Sequence, residues 1–172
     1  VVLKAYIEWG LSCFSYFEGM FSICIIDSKR DRIHIARDVL GVKPLYYSHT
    51  IEELIIASEQ KAILKIKKST PKVNKNSLED YFLYQSIIGK NTLFKNIFKV
   101  NKGEILSFDL KNQKLLSSQT IAPKKRNQKL DTYNDYKSYI RELILNETYD
   151  ALNTDLDITF QLSGGIDSNL ML

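Results

Sequence analysis

Hydrophobic and polar residues alternate in short segments along the first two thirds of the chain, and most of these segments predict strands. Ile33, Ile35 and Val39 are separated by polar or small residues, which is typical of a half-buried strand. An apolar segment at residues 20–27 precedes them, and the polar turn between the two predicts a hairpin. Further short strands are predicted at residues 44–48, 54–58, 104–109 and 115–116.

Segments in which apolar residues have helical spacing lie before, between and after these strands. Val2, Leu3, Tyr6 and Ile7 predict an N-terminal helix that Gly10 ends, and a second short helix follows it through residue 17. Other helices are predicted at residues 60–65, at 77–85, where Ser77 and Asp80 resemble a capping box, and around the apolar face of Tyr136, Ile140, Leu143 and Ile144.

A change of composition divides the chain into two predicted domains. From Ser117 to Asp131 the residues are mostly Ser, Gln, Pro, Lys, Arg and Asn. We therefore predict a first domain at residues 1–118, a linker at 119–131 and a second domain at 132–172. In the second domain a helix leads to a buried strand at 158–162, a glycine turn and a helix start, which is the beginning of a doubly wound α/β unit.

The glycine turn is the strongest candidate for chemistry. Adjacent glycines allow a close approach of the backbone to a ligand, and the helix start adds unpaired N–H groups that favour a phosphate. Asp167 suits either a bridging Mg²⁺ or the first turn of the helix. The alternative is a turn in which Ser and Asp only cap the helix. The candidate site consists of Leu162, Ser163, Gly164, Gly165, Asp167 and Ser168.

A second distinctive string occupies residues 36–47. Gly41 allows a turn, and Pro44 fixes the backbone at the start of the next strand. Arg37 and Asp38 either pair with one another's neighbours or bind a ligand. Taken alone, the string predicts the structural corner of a hairpin.

Composition and charge narrow the function classes. The 172 residues are 44% hydrophobic and 26% charged with a net charge of +4, which is ordinary for a globular protein, and no recognition motif accompanies the scattered lysines. We therefore expect no nucleic-acid partner. Cys13 and Cys24 lie in apolar surroundings and form no disulfide framework, so we expect buried free thiols in a reducing compartment. His34 and His49 lack the spacing of metal ligands, and no apolar run is long enough to cross a membrane.

Both strings resemble those of one known family, and they occur in the family's order. Residues 162–168 resemble the pyrophosphate loop of the ATP pyrophosphatases in its asparagine synthetase version. Residues 36–47 resemble the signature of the class II glutamine amidotransferase domain of glutamine-hydrolysing asparagine synthetases, and the flanking Trp9, Gly10 and Gly103 match as well. The resemblance implies an α+β domain of the N-terminal-nucleophile type, with αββα layers, followed by the first helix, strand and loop of a doubly wound α/β ATP pyrophosphatase domain.

The resemblance also implies a reaction and its ligands. Glutamine would be hydrolysed to glutamate, and the ammonia would convert an aspartyl-adenylate into asparagine, with AMP and pyrophosphate as further products. The implied cofactors are ATP and Mg²⁺, the implied substrates glutamine, aspartate and ATP. The implied setting is the cytoplasm without a membrane partner, and the resemblance allows a homodimer. The glycine loop would hold the pyrophosphate of ATP. The expected structural supports of the amidotransferase site are Arg37, Asp38, Gly41 and Lys43.

No residue of this chain is assigned as the catalytic nucleophile. In the family that residue is a cysteine at the mature N-terminus, so we expect it upstream of Val1 and give the role to neither Cys13 nor Cys24. The chain starts without Met and stops within a predicted helix, and we expect an inactive fragment of a longer enzyme. Two alternatives stay open. One is a related ligase that acts on another carboxylate, such as a sugar acid or a β-lactam precursor, and the other is a non-catalytic binding protein with this fold.

Overall fold

The computed structural model describes residues 1–50, 53–67, 70–122 and 130–172, which fall into two compact units, Val1–Lys124 and Lys125–Leu172. The first unit contains three α-helices, a 3₁₀ helix at Gly10–Tyr16 and seven strands among its described residues. The helices are α1 (Val2–Trp9), α2 (Gln60–Lys67) and α3 (Lys75–Tyr84). The strands are β1 (Ser22–Asp27), β2 (Arg32–Arg37), β3 (Tyr46–His49), β4 (Leu54–Ala57), β5 (Phe98–Lys99), β6 (Glu104–Asp109) and β7 (Leu115–Thr120).

The strands form two antiparallel sheets. The first sheet has the order β1-β2-β6-β7, and the second has the order β4-β3-β5. The predicted hairpin of β1 and β2 is confirmed, with Ile25 opposite His34. The predicted strands at 44–48, 54–58, 104–109 and 115–116 are confirmed as well, although β7 continues to Thr120. A β-bulge interrupts the register of β6 and β7 next to Ser107.

Three apolar clusters separate four layers of secondary structure. Ala36 and Ile105 pack under α1 and the 3₁₀ helix, on one face of the first sheet. Ile35 and Phe108, on its other face, pack against Tyr47 of the second sheet. The far side of the second sheet packs against Ile63 of α2. The order is therefore helix, sheet, sheet, helix, which agrees with the expected layers of an α+β domain, and it arises because strand residues alternate between faces.

The N-terminal helix and the two cysteines depart partly from expectation. The helix ends at Trp9 with Gly10 as its C-cap, as predicted, but Leu3 and Ile7 are exposed and the buried positions are Ala5 and Tyr6. Cys13 is buried, whereas the expectation that Cys24 is buried is wrong. Cys24 lies on the outermost strand of its sheet, on the face opposite Ile25, where the second sheet leaves it exposed.

The predicted capping box of Ser77 and Asp80 is wrong. The helix α3 begins earlier, at Lys75, with Asn74 as its N-cap. The amide of Asn74 donates to the carbonyl of Leu93 at 2.8 Å, so a contact from a distant part of the chain sets the start of the helix. Ser77 therefore lies inside the helix, where its buried hydroxyl has no hydrogen-bond partner among the described residues.

The second unit contains α4 (Tyr133–Leu152) and the short α5 (Ile166–Leu170). The helix predicted around Ile140 is confirmed, and it starts with a capping box of Thr132 and Asp135 that the sequence analysis did not identify. The predicted buried strand at 158–162 is wrong: its residues are exposed and form no strand. A strand requires a hydrogen-bonded neighbour, and both sheets of the described chain consist of first-unit strands.

The predicted linker at 119–131 lies largely outside the described residues, which omit 123–129. Its first residues belong to β7, and Ile121 is buried in the cluster under α1. None of the described helices is long and apolar enough to span a membrane.

Candidate functional site

The first candidate site is the corner after β2, residues 37–43, which we call the corner. Arg37 is the last residue of β2, and its guanidinium donates hydrogen bonds to three backbone carbonyls. Nε donates to Lys43 at 2.7 Å, one terminal nitrogen donates to Val100 at 2.8 Å, and the other donates to Gly41. The side chain thus joins the corner to the segment that follows β5, which is distant in sequence.

Asp38 closes the same corner from inside. Its side chain is 2% exposed, and its two carboxylate oxygens accept hydrogen bonds from the amides of Val42 at 2.9 Å and Lys43 at 3.0 Å. Its own carbonyl accepts from the amides of Gly41 at 2.9 Å and Gly103 at 2.8 Å. Burial by itself would raise the pKa of Asp38, but the amide donors outweigh it and the pKa is lowered. The carboxylate is therefore ionised and fully used by the backbone.

Gly41 is required at the corner for two reasons. Its φ is +69°, a conformation that side chains other than glycine's rarely adopt. A Cβ at this position would also lie 2.9 Å from the Cβ of Lys102 and 3.3 Å from the guanidinium carbon of Arg37. Lys43, by contrast, contributes its backbone to the corner while the residue itself is exposed.

The structure thus brings Arg37, Asp38, Gly41 and the backbone of Lys43 together. Of the two alternatives for the charged pair, it favours pairing with neighbours, through backbone groups. Among the described residues neither Arg37 nor Asp38 takes part in an ion pair. Because the carboxylate of Asp38 accepts from backbone amides of the corner, the arrangement can hold a loop but leaves no free base for proton transfer.

The second candidate site is the glycine loop, residues 162–168. Gly164 has φ +80° and open space around it, and Gly165 is the N-cap of α5. The hydroxyl oxygens of Ser163 and Ser168 are 3.1 Å apart, so both face the inside of the turn. The amide of Gly165 donates to Ser163 Oγ at 3.3 Å, and Ser168 Oγ donates to the carbonyl of Gly165 at 3.0 Å.

The loop agrees with a phosphate-binding turn in its donor chemistry. Hydroxyl groups and amides at a helix start are phosphate donors, and a Cβ on Gly165 would lie 3.3 Å from Ser163 Oγ, inside the turn. Asp167 lies in the first turn of α5, and Leu162 is 53% exposed. The sequence analysis missed Asn169, whose side-chain amide donates to the carbonyl of Gly165 at 3.0 Å. The sequence did offer one indication of this residue, because the polar Asn169 directly follows the recognised string.

The donor set for Mg²⁺ is small. The described residues contain no group of three or more His, Cys, Asp and Glu side chains that could hold a metal ion. Asp167 is the one carboxylate in the loop, so a magnesium ion there would take its other ligands from phosphate oxygens and water, as Mg²⁺ commonly does.

A buried polar cluster under α1 also escaped the sequence analysis. The hydroxyl of Tyr6 donates to Asp27 at 2.8 Å, and Arg30 donates to the same carboxylate at 2.8 Å. The Arg30 and Tyr6 hydrogen bonds lower the pKa of Asp27 to about 2. His34 Nδ1 lies 2.8 Å from Ser107 Oγ, and burial lowers the pKa of this imidazole. The sequence did contain an indication of this cluster, because the alternation along the strands places Asp27 and His34 on the sheet face that packs on α1.

Comparisons with known proteins cover the whole chain. Residues 1–119 match a family described as "Glutamine amidotransferase domain". The chain is 34% identical to a "Putative asparagine synthetase [glutamine-hydrolyzing] 2" of Methanocaldococcus jannaschii, with 100% of the chain and 34% of the relative covered. It is 29% identical to "Asparagine synthetase [glutamine-hydrolyzing] 3" of Bacillus subtilis, with 98% of the chain and 27% of the relative covered. It is 28% identical to "Amidase chry2" of Gibberella zeae, with 98% of the chain and 25% of the relative covered. The chain thus spans about a third or less of the length of these relatives.

Proposed function

The chain belongs to the glutamine amidotransferase family, and from this premise we propose that it is part of a glutamine-dependent asparagine synthetase. In the proposed reaction, glutamine supplies ammonia and ATP activates aspartate, and the products are asparagine, glutamate, AMP and pyrophosphate. The observation that carries the proposal is the extent of the similarity. The match to named asparagine synthetases continues through residues 120–172, beyond the amidotransferase family match.

We assign the two units different parts of this function. The first unit, with its helix, sheet, sheet, helix layers, would be the part of an N-terminal-nucleophile amidotransferase domain that supports the glutamine site through the corner. The second unit would begin the ATP pyrophosphatase domain. There the loop amides and the hydroxyls of Ser163 and Ser168 would hold the pyrophosphate of ATP, and Asp167 would bind Mg²⁺. The metal would neutralise phosphate charge.

The surroundings of the two cysteines in this chain are consistent with a catalytic nucleophile that is neither of them. Cys13 is fully buried, and burial raises the pKa of its thiol, so the reactive thiolate is disfavoured. Cys24 is exposed on an edge strand, and its register partner is the apolar Ile35, so the strand pair places no base opposite it. We therefore keep the proposal that a cysteine outside this chain performs glutamine hydrolysis.

The assignment of the glycine loop is tested by the substitution Gly165→Val in the full-length protein. A branched side chain at this position would fill the turn beside Ser163 Oγ, so aspartate-dependent pyrophosphate release should fall at least about a hundredfold, as for loss of a phosphate-positioning group. Glutamine hydrolysis should persist. Ile166→Val is the matched control, because Ile166 is 86% exposed and its amide is unchanged. Normal asparagine formation by the Gly165 variant would remove the loop from the proposed site.

A second candidate is a related ligase that acts on another carboxylate. It is supported by the amidase of Gibberella zeae, which is nearly as similar to the chain as one of the Bacillus subtilis asparagine synthetases. Pyrophosphate release measured with aspartate and with a panel of sugar acids and amino acids separates the candidates. Release that depends on aspartate supports the first candidate, and release that depends on another acid supports the second. If the full product does not bind ATP at all, it is a non-catalytic relative.

A further inference from the structure

A cavity lined by basic residues lies at the corner, in the first unit. A cavity of about 520 Å³ opens beside Gly41. Arg37, Lys99 and Lys102 line it, together with Asn101 and no acidic residue. The volume lies within the range of cavities that hold small ligands.

Arg37, Lys99 and Lys102 form no ion pair with any described acidic residue. Two acidic residues, Asp38 and Glu104, lie close to these basic residues in sequence, but both carboxylates accept hydrogen bonds from other groups. Asp38 accepts from the amides of Val42 and Lys43, and Glu104 accepts from the amide of Asn101 and from the hydroxyl of Ser118.

The absence of a side chain at Gly41 leaves room for two of these basic residues. The Cβ that glycine lacks would lie 2.9 Å from the Cβ of Lys102 and 3.4 Å from a terminal nitrogen of Arg37. The stem of Lys102 therefore starts beside the guanidinium of Arg37. An anion in the cavity would be attracted by the positive side chains that line it.

Arg37 keeps donors for such an anion. A guanidinium has five N–H groups, and three of them serve the carbonyls of the corner, so two are left. The carbonyl contacts also hold the side chain in one orientation, so little entropy is lost when these donors bind a ligand. Arginine with lysine is a typical donor set for phosphate oxygens.

The number of charges indicates the size of the anion. Three basic side chains and no acidic side chain line the cavity, so an anion with several negative charges, such as a diphosphate or triphosphate group, matches it better than a single carboxylate.

We propose that the cavity at the corner binds a small polyphosphate anion through Arg37, Lys99 and Lys102, either inorganic pyrophosphate or the phosphate chain of a nucleotide. This site shares no residue with the glycine loop and does not rest on the proposed synthetase function. In an enzyme of the proposed kind, it would make the amidotransferase unit sensitive to the concentration of pyrophosphate or nucleotide.

The test is a calorimetric titration of the 172-residue chain with inorganic pyrophosphate and, separately, with ATP. The double variant Lys99→Gln and Lys102→Gln removes two cations and keeps Arg37 and the corner intact. Pyrophosphate affinity should fall at least about tenfold, as expected for loss of charge-assisted hydrogen bonds. Lys4→Gln is the matched control, because Lys4 is an exposed lysine of α1 without an ion pair among the described residues.

The loop variant Gly165→Val separates the two phosphate sites in the same titration. Retained pyrophosphate binding in this variant, with loss in the double lysine variant, supports the proposal. Unchanged binding in the double variant, or binding lost in Gly165→Val alone, overturns it. Equal affinities for pyrophosphate and ATP would identify the phosphate chain as the ligand, and tighter ATP binding would identify the nucleotide. Melting curves without ligand verify folding, and the single variant Lys102→Met serves if the double variant melts early.

Discussion

Removing the carboxylate of Asp38 should destabilise the first unit more than most single substitutions. In Asp38→Ala, the amides of Val42 and Lys43 lose acceptors at 2.9 Å and 3.0 Å. A hydrogen bond to a charged group contributes roughly 1.5–3 kcal/mol, so the two together contribute about 3–6 kcal/mol. A domain of this size is stable by only about 5–15 kcal/mol, so the loss would be a large fraction of the total.

Urea denaturation followed by tryptophan fluorescence measures this loss, since Trp9 is the one tryptophan of the chain and lies in the first unit. Asp38→Asn keeps the shape and one oxygen acceptor, and should lose about half as much free energy of unfolding. Glu79→Ala, at an exposed position of α3, is the control and should change stability by less than about 0.5 kcal/mol. An Asp38→Ala variant within about 1 kcal/mol of the parent would refute the reasoning.

The same prediction has a pH dependence whose sign follows from the lowered pKa of Asp38. The folded state holds this carboxylate ionised at a lower pH than the unfolded state, whose pKa is near 3.8. The stabilisation is therefore complete above the unfolded pKa and is lost as the pH falls through the folded pKa. The stability difference between the parent and Asp38→Ala should be constant near neutral pH and shrink below pH 3.8. A difference that is unchanged in acid would show that the carboxylate charge is irrelevant.

Three further predictions concern the corner and the buried cluster. Arg37→Met should lower the free energy of unfolding by roughly 2–4 kcal/mol, because three carbonyls lose their donor, and Arg37→Lys should restore only part of it in urea denaturation. Gly41→Ala should lower the free energy of unfolding by about 1–3 kcal/mol, through its positive φ and the contact with Lys102. Gly89→Ala, with open space around it, should lose stability only through its φ, and urea denaturation measures both changes. Below pH 6.5 the parent should lose stability as the unfolded state protonates before the buried His34, a slope that His34→Gln should remove.

The sequence alone was sufficient for features that depend on neighbouring residues. The alternation in β1 and β2, the turn between them and the C-cap at Gly10 were all predictable, because side-chain period and positive φ are local properties. The glycine loop was recognisable for the same reason. Its hydroxyls, amides and helix start lie within seven residues, and the turn brings them together without help from the rest of the chain.

Features that depend on distant partners were decided by the tertiary structure. The start of α3 moved to Lys75 because Leu93 binds the preceding amide, and residues 158–162 form no strand because a strand needs a neighbour to accept its hydrogen bonds. Arg37 found its third acceptor at Val100, and the basic cavity exists because β2 and the segment after β5 meet at Gly41. Such contacts join residues about sixty positions apart, which no local pattern encodes.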